Sequence, residues 1–197
     1  MQPVTLRTER LVLSPPAEGD IDAIFDACQD PEIQRYTTVP SPYHRDDAVG
    51  FVKKTAGWWD EGAEATWALH HAGGLAGVVG LHRLGRQSGA GEIGYWMTPA
   101  FRGQGLLTEA ARAVIDWGFS PDGLALARIE WRAVVGNVGS ARTARALGFR
   151  YEGRLRGALL HSSGVRDDGW IAGLLAGDDR TPQPWPVLDE DGRNPLT

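Results

Sequence analysis

Apolar residues recur along this chain with two different periods, and the switches between them mark out the elements. Alternation opens in "VTLRTERLVLSPP" and stops at Pro15-Pro16, which predicts a strand or hairpin closed by prolines. In "GDIDAIFDACQD" the spacing becomes helical: Ile21, Ile24, Phe25 and Cys28 fall on one face, Asp20 is placed to cap, and Pro31 is expected to end the helix. A second helical region lies in "SPYHRDDAVGFVKKTAGWWDEG", with Val49, Val52, Ala56 and Trp59 as its stripe. Three short runs follow, "ATWALHH", "LAGVVGLHR" and "GEIGYWM", separated by "AGG" and "RQSGAG"; their spacing predicts an antiparallel meander.

The period returns to helical after "RGQG". Leu107, Ala111, Val114 and Ile115 share one face, and Glu109, Arg112 and Asp116 the other. "ARIEWRAVV" reads as a strand with Ile129, Trp131, Ala133 and Val135 on one side. "NVGSARTARALGF" reads as a short helix, capped by Asn137 and ended by a left-handed Gly148. Strands are expected through "FRYEGRLRG" and "DGWIAGLLA". The pattern predicts one α+β domain over residues 1–176, followed by a Pro- and Asp-rich tail, 177–197, that is irregular except where Trp185 docks.

Composition changes this picture mainly by exclusion. The chain has 197 residues, 42% of them hydrophobic and 23% charged, which suits a globular domain with a sizeable core. A net charge of −5 argues against a general nucleic-acid binder. The single cysteine, Cys28, excludes an intrachain disulfide or a multi-cysteine zinc site and reads as a buried small residue. No N-terminal apolar core and no run long enough to span a membrane occur, so a cytoplasmic protein with no membrane partner is expected.

Gly103 and Gly105 stand where a helix begins. A helix N-terminus offers unpaired amides and partial positive charge, and glycines admit an anion to bare backbone. "Arg102-Gly103-Gln104-Gly105-Leu106-Leu107" therefore reads as a phosphate cradle, with Arg102 adding charge; a tight strand-to-helix turn with no ligand is the competing reading. The turn lacks the Lys-Ser or Lys-Thr of a Walker loop and the three-glycine spacing of a dinucleotide fold.

"EIGYWMTPAFRGQGLLTEA", followed some thirty residues later by "NVGSARTARALGFRYEGRLRG", resembles the GNAT acyltransferases, and within them the branch of ribosomal-protein N-terminal acetyltransferases. The resemblance runs from "LRTERLVLSPP" to "DDGWIAGLLAGD". It implies a mixed, largely antiparallel central sheet flanked by helices, with strands splayed at the cofactor site. It also implies acetyl-coenzyme A as cosubstrate, its pyrophosphate on the amides of Arg102, Gly103, Gln104, Gly105, Leu106 and Leu107. Leu107 departs from the family pattern, which has a small residue there. A main-chain amide of Trp96 or Met97 would polarise the thioester and hold the pantetheine arm, and Asn137 would cap the helix or contact that arm.

The proton for the departing thiolate comes in many members from a Tyr at the position of Ala144 here. The related N-terminal acetyltransferases place a Ser in an Asn-x-x-Ser pattern, which makes Ser140 the candidate acid; an early-helix Ser that only serves N-terminal amides is its other reading. Glu92, on the same strand face as residue 96, is the candidate base. An acid that some relatives carry after "GRLR" is replaced by Gly157-Ala158-Leu159. His70, His71, His82 and His161 are stand-ins for the base; none has metal-ligand spacing, so no metal is expected. Tyr36, Trp58, Trp59 and Trp67, with Tyr43, are the candidate acceptor wall, and Asp46, Asp47, Asp60 and Glu61 would attract a cation. The function this implies is acetyl transfer to a primary amine, of a protein N-terminus or a small molecule, by a monomer or homodimer. A catalytically silent coenzyme A-binding module and an unrelated phosphate-binding domain are the alternatives.

Overall fold

The computed structural model describes residues 1–84, 89–160 and 164–188. Eight strands form one sheet: β1 (Leu6–Arg7), β2 (Val12–Ser14), β3 (Ala65–His71), β4 (Gly74–His82), β5 (Ala90–Met97), β6 (Arg128–Val134), β7 (Arg150–Leu160) and β8 (Arg166–Leu175). Their order is β1-β2-β3-β4-β5-β6-β8-β7, with β5 and β6 parallel and every other neighbour pair antiparallel. The expected meander is β3-β4-β5. A parallel pair needs a crossover connection, and α4 (Leu106–Phe119) supplies it. Pairing between β5 and β6 ends at Ile93 and Trp131, while β5 stays bonded to β4 as far as Met97. Beyond Ile93 the sheet therefore opens into a gap.

Helices α1 (Ile21–Ala27), α2 (Pro31–Tyr36) and α3 (Arg45–Glu61) precede the meander, and α5 (Val138–Ala146) follows β6. Several sequence expectations shift here. Asp20 does not cap α1; its carboxylate accepts from the Ala17 amide and meets the His70 imidazole at 2.7 Å. Pro31 does not end α1, which stops at Ala27; it opens α2 at the first turn, where a missing N–H costs nothing, with Asp30 as the cap. The buried stripe of α3 is Ala48, Val52, Thr55 and Trp59, leaving Val49 and Ala56 toward solvent. In α4 the core position belongs to Leu106, with Leu107 only partly buried.

The larger core packs Ile93, Leu106, Val114, Ile115, Trp131 and Phe149 with residues of β2–β4. A second cluster gathers Ile24, Ile33, Tyr43, Val52 and Ala68 beneath α1–α3. Cys28 lies in it, and burial pushes its thiol up to about 12, against a smaller opposing pull from Tyr43. The start of the tail docks: Trp185 packs its ring 5.4 Å from Trp131 and donates to the Phe149 carbonyl at 3.1 Å. No helix among the described residues is long and apolar enough to cross a membrane.

Candidate active site

The chain leaves β5, turns through Pro99–Phe101, and enters α4 with Gly103 at φ +74° and Gly105 at φ +75°. A side chain at either position would strain the backbone, which explains the two glycines. The Glu109 amide bonds to the Gly105 carbonyl at 3.1 Å, so the amides before it in this turn have no partner within the helix. A Cβ at Gly103 would meet nothing within 4 Å, so open space stands above these donors. Geometry, dipole and room together fit a phosphate.

The charge beside the cradle comes from an unexpected residue. Arg102 is committed elsewhere: its guanidinium bonds to Asp30 at 2.7 Å, Glu32 at 2.8 Å and the Met97 carbonyl at 3.1 Å. Even its amide is bonded, to the Pro99 carbonyl at 3.2 Å. Arg102 is thus a pin that fastens α2 to the loop, because two carboxylates neutralise it. Arg10, itself paired with Glu109, stands nearer the glycines. Its Nη1 donates to the Gln104 carbonyl at 3.0 Å, Glu109 holds its Nε at 2.7 Å, and Nη2 lies 3.6 Å from where a Gly105 Cβ would sit. The Gln104 side chain folds back to the Ala100 carbonyl. Nothing in the local sequence signals Arg10, since only the β1–β2 turn packed on α4 brings it there.

Burial pushes the Asp30 carboxyl up, but the Arg102 guanidinium and the Ile33 and Glu32 amides outweigh it, and the net shift is downward. A lowered carboxyl pKa stabilises the fold above its unfolded value and ceases to do so as pH falls through the folded one. Asp30→Asn is therefore expected to lose less stability than wild type as pH falls below about 4, near the unfolded Asp pKa. Denaturant titration at stepped pH checks this; parallel curves would remove the pin.

At the other end, Asn137 caps α5 by accepting from the Ser140 amide at 3.2 Å. Trp131 Nε1 donates to Ser140 Oγ at 3.0 Å, Ser140 Oγ donates to the Tyr95 hydroxyl at 3.3 Å, and Tyr95 donates to the Ser140 carbonyl at 3.1 Å. Burial pushes the Tyr95 phenol up despite the Ser140 and Trp131 hydrogen bonds, so it is a neutral donor at physiological pH. Tyr95 belongs to no catalytic motif in the sequence. Its signal was parity: it shares the Ile93 and Met97 face, toward α4 and α5. Ala144 is fully buried, so the residue one turn beyond Ser140 on the cavity side is Thr143.

A cavity of about 480 Å³ joins the two ends, lined by Gly103 and Gly105–Thr108, by Asn137, Ser140 and Thr143, and by Ile33 and Tyr36 of α2. Tyr95 and Trp96 both line it although successive strand residues point to opposite faces. The cavity thus passes through the gap between β5 and β6. The Thr98 amide bonds to Ala76 on β4, so by alternation Trp96 N–H also faces β4 and Met97 N–H faces the gap. Of the two amides expected to polarise a carbonyl, that of Met97 is the one directed into the gap.

Other candidates lie elsewhere. Trp59 and Trp67 are fully buried and form an aromatic cluster with Trp117, at centroid separations of 5.0, 5.2 and 5.9 Å; an acceptor cannot reach them. Trp58 sits edge-on to Phe51, outside the cavity lining. Glu92 is also outside it, with Oε2 at 3.1 Å from Arg83 and 3.6 Å from Arg132, distances of charge contact that lack hydrogen-bond alignment. His71 meets the Arg10 carbonyl, and His82 meets Glu64. His161 lies outside the described residues. The carboxylate nearest Gly157 comes from β8: Asp168 accepts from the Gly157 amide at 2.7 Å while paired with Arg154. Among the described residues no group of three His, Cys, Asp or Glu gathers as a metal site.

The family profile described as an acetyltransferase (GNAT) domain matches residues 10–150. The N-acetyltransferase YoaA of Bacillus subtilis (strain 168) is 29% identical over 153 residues, covering 77% of this chain and 85% of its own. Among solved structures, RimL, a ribosomal L7/L12 α-N-protein acetyltransferase in complex with coenzyme A, superposes with a TM-score of 0.78 at 19% identity, over 87% of this chain and 98% of that one. The microcin C7 self-immunity acetyltransferase MccE, in complex with acetyl-CoA and AMP, gives 0.77 at 22% identity, over 85% and 93%.

Proposed function

Because the chain belongs to the GNAT acetyltransferase family, we propose that it carries an acetyl group from acetyl-coenzyme A directly to a primary amine. The observation that supports this best is the continuous cavity from the amides at the start of α4 to the Tyr95–Ser140 pair and through the β5–β6 gap. The cosubstrate supplies an acetyl group activated as a thioester. The chain's own residues do the rest. Amides from Gly103 to Leu107 hold the pyrophosphate, with Arg10 at their edge. Asn137 flanks the pantetheine path. Met97 N–H donates to the carbonyl oxygen, as a fixed donor excluded from bulk water. Ser140, polarised by Trp131 and linked to Tyr95, gives the proton to the departing sulfur.

The acceptor is a polypeptide α-amine in this reading, as it is for RimL, a ribosomal L7/L12 α-N-protein acetyltransferase; a small-molecule amine is the second class. Thermal stability with acetyl-CoA, CoA or ATP in excess tests the cradle. Ligand at about a hundredfold its Kd adds about 2.7 kcal/mol, a shift of several degrees. Both CoA species should produce it and ATP should not. Peptides with varied first residues, set against polyamines and aminoglycosides, then test the acceptor. Cofactor binding with no turnover across that panel would mean a silent binding module.

A further inference from the structure

On the sheet face opposite Tyr95, one imidazole is fixed both by a carboxylate and by a recess between strands. His82 ends β4, opposite Glu92 on β5, and Glu64, just before β3, meets its Nδ1 at 2.8 Å. The ring leans back along its strand. A Cβ at Gly80 would lie 3.0 Å from His82 Cε1 and 3.1 Å from Nε2, and one at Gly94 would lie 2.9 Å from Nε2. Two facing glycines on adjacent strands thus form a recess for this ring, since Gly80 pairs with Gly94. The next pair on that face is Val78 with Trp96, and Trp96 lines the cavity, so the ring leans toward the cavity end of the sheet without itself lining the cavity. Gly94 is also the first β5 residue after pairing with β6 stops. His82 Nε2 therefore stands at the rim of the gap.

A second observation points to the same place. Thr66 is 1% exposed, and its Oγ1 has no hydrogen-bond partner among the described residues. It lies 3.0 Å from the same point above Gly80 that the imidazole approaches. A buried hydroxyl without a partner is costly, and a bound amine or its water would satisfy it.

Resting on the proposed acetyl transfer, we infer that His82 is the base that receives the acceptor's proton, with Glu64 as its positioning residue. The carboxylate fixes the proton on Nδ1 and leaves the Nε2 lone pair toward the gap. The acceptor enters from this face, as an ammonium, and gives one proton to Nε2, which releases it to solvent. The freed nitrogen bonds to the acetyl carbon and the carbon–sulfur bond breaks. The sulfur takes a proton from Ser140, which is restored by the second proton lost from nitrogen. Atoms balance as one amide, one thiol and one proton released. Among the described residues, the charged groups beside the imidazole are Glu64, which it contacts, and Glu92, its partner across the strands, with Arg83 and Arg132 on Glu92. Glu92 faces the two arginines, which leaves Glu64 as the carboxylate on the ring.

Two readouts test the assignment. The ring 15N shifts of His82 in the free protein should show the Nδ1–H tautomer, and Glu64→Ala, which removes the acceptor, should abolish that bias. In kinetics, His82→Gln should lower kcat about 100-fold for an acceptor that is an ammonium at the assay pH. Its acid limb in the pH profile should vanish, with acetyl-CoA binding unchanged. An acceptor already neutral at that pH should lose less than about tenfold. An active wild type whose His82→Gln variant keeps its rate, or whose imidazole is protonated on Nε2, overturns the role of His82 alone. A wild type that binds acetyl-CoA but acetylates no amine overturns the transfer reading, and this inference with it.

Discussion

Ser140→Ala is expected to lower kcat by about 10³-fold, within the range for a positioned proton donor, while acetyl-CoA affinity stays unchanged. The hydroxyl sits between a donor, Trp131 Nε1, and an acceptor, the Tyr95 oxygen. A donor aimed at an oxygen that is losing its proton stabilises the charge that develops there. Alanine removes the proton and also leaves Trp131 Nε1 without its partner, so stability should fall as well, by about 1–3 kcal/mol. Rate and melting temperature must therefore be measured on the same preparation, with the rate taken well below the transition. Tyr95→Phe separates the two hydroxyls. If Ser140→Ala keeps its rate and Tyr95→Phe loses it, the acid is the phenol.

Gly105→Val is expected to weaken acetyl-CoA binding by about 100-fold, equivalent to about 2.7 kcal/mol. The backbone at Gly105 is left-handed, at φ +75°. A side chain there costs about 1–2 kcal/mol, and a β-branched one resists that conformation most. Either the loop turns its amides away from the phosphate or the two methyl groups stand in the ligand's path. Calorimetric titration distinguishes binding loss from misfolding, because the folded baseline is recorded first. Intact affinity would mean that the glycines serve only the turn.

Most elements of this chain were legible from short-range pattern. The meander β3-β4-β5, the helix after "RGQG", the cap at Asn137 and the left-handed Gly148, at φ +90°, all depend on periodicity or on one residue's backbone preference. Docking of Trp185 was legible too, because a tryptophan in a polar tail has little other use. Errors fell where two local rules competed. Pro31 ends a helix in one rule and opens one in another, and only packing of Ile33 on the second core chose between them. The α3 stripe slipped because its helical phase rests on which neighbours cover it.

The site divides along the same line. The sequence alone determined the glycine turn and the Asn-x-x-Ser cap that sets Ser140 in the first turn of α5, since each is a local feature with a fixed offset from a helix start. Tertiary structure decided which charges and rings take part. Arg102 and Arg10 look alike in the sequence, yet one is tied to α2 through Asp30 and Glu32 and the other, held by Glu109, stands over Gly105. Trp59 and Trp67 look like a binding wall but fill the core. Tyr95 meets Ser140 across 45 residues, and His82 meets Glu64 across 18. Such meetings depend on strand register and on the end of β5–β6 pairing after Ile93, and both follow from packing the whole sheet against its helices. A residue's backbone preference is carried by its own chemistry; its partner is chosen by the fold.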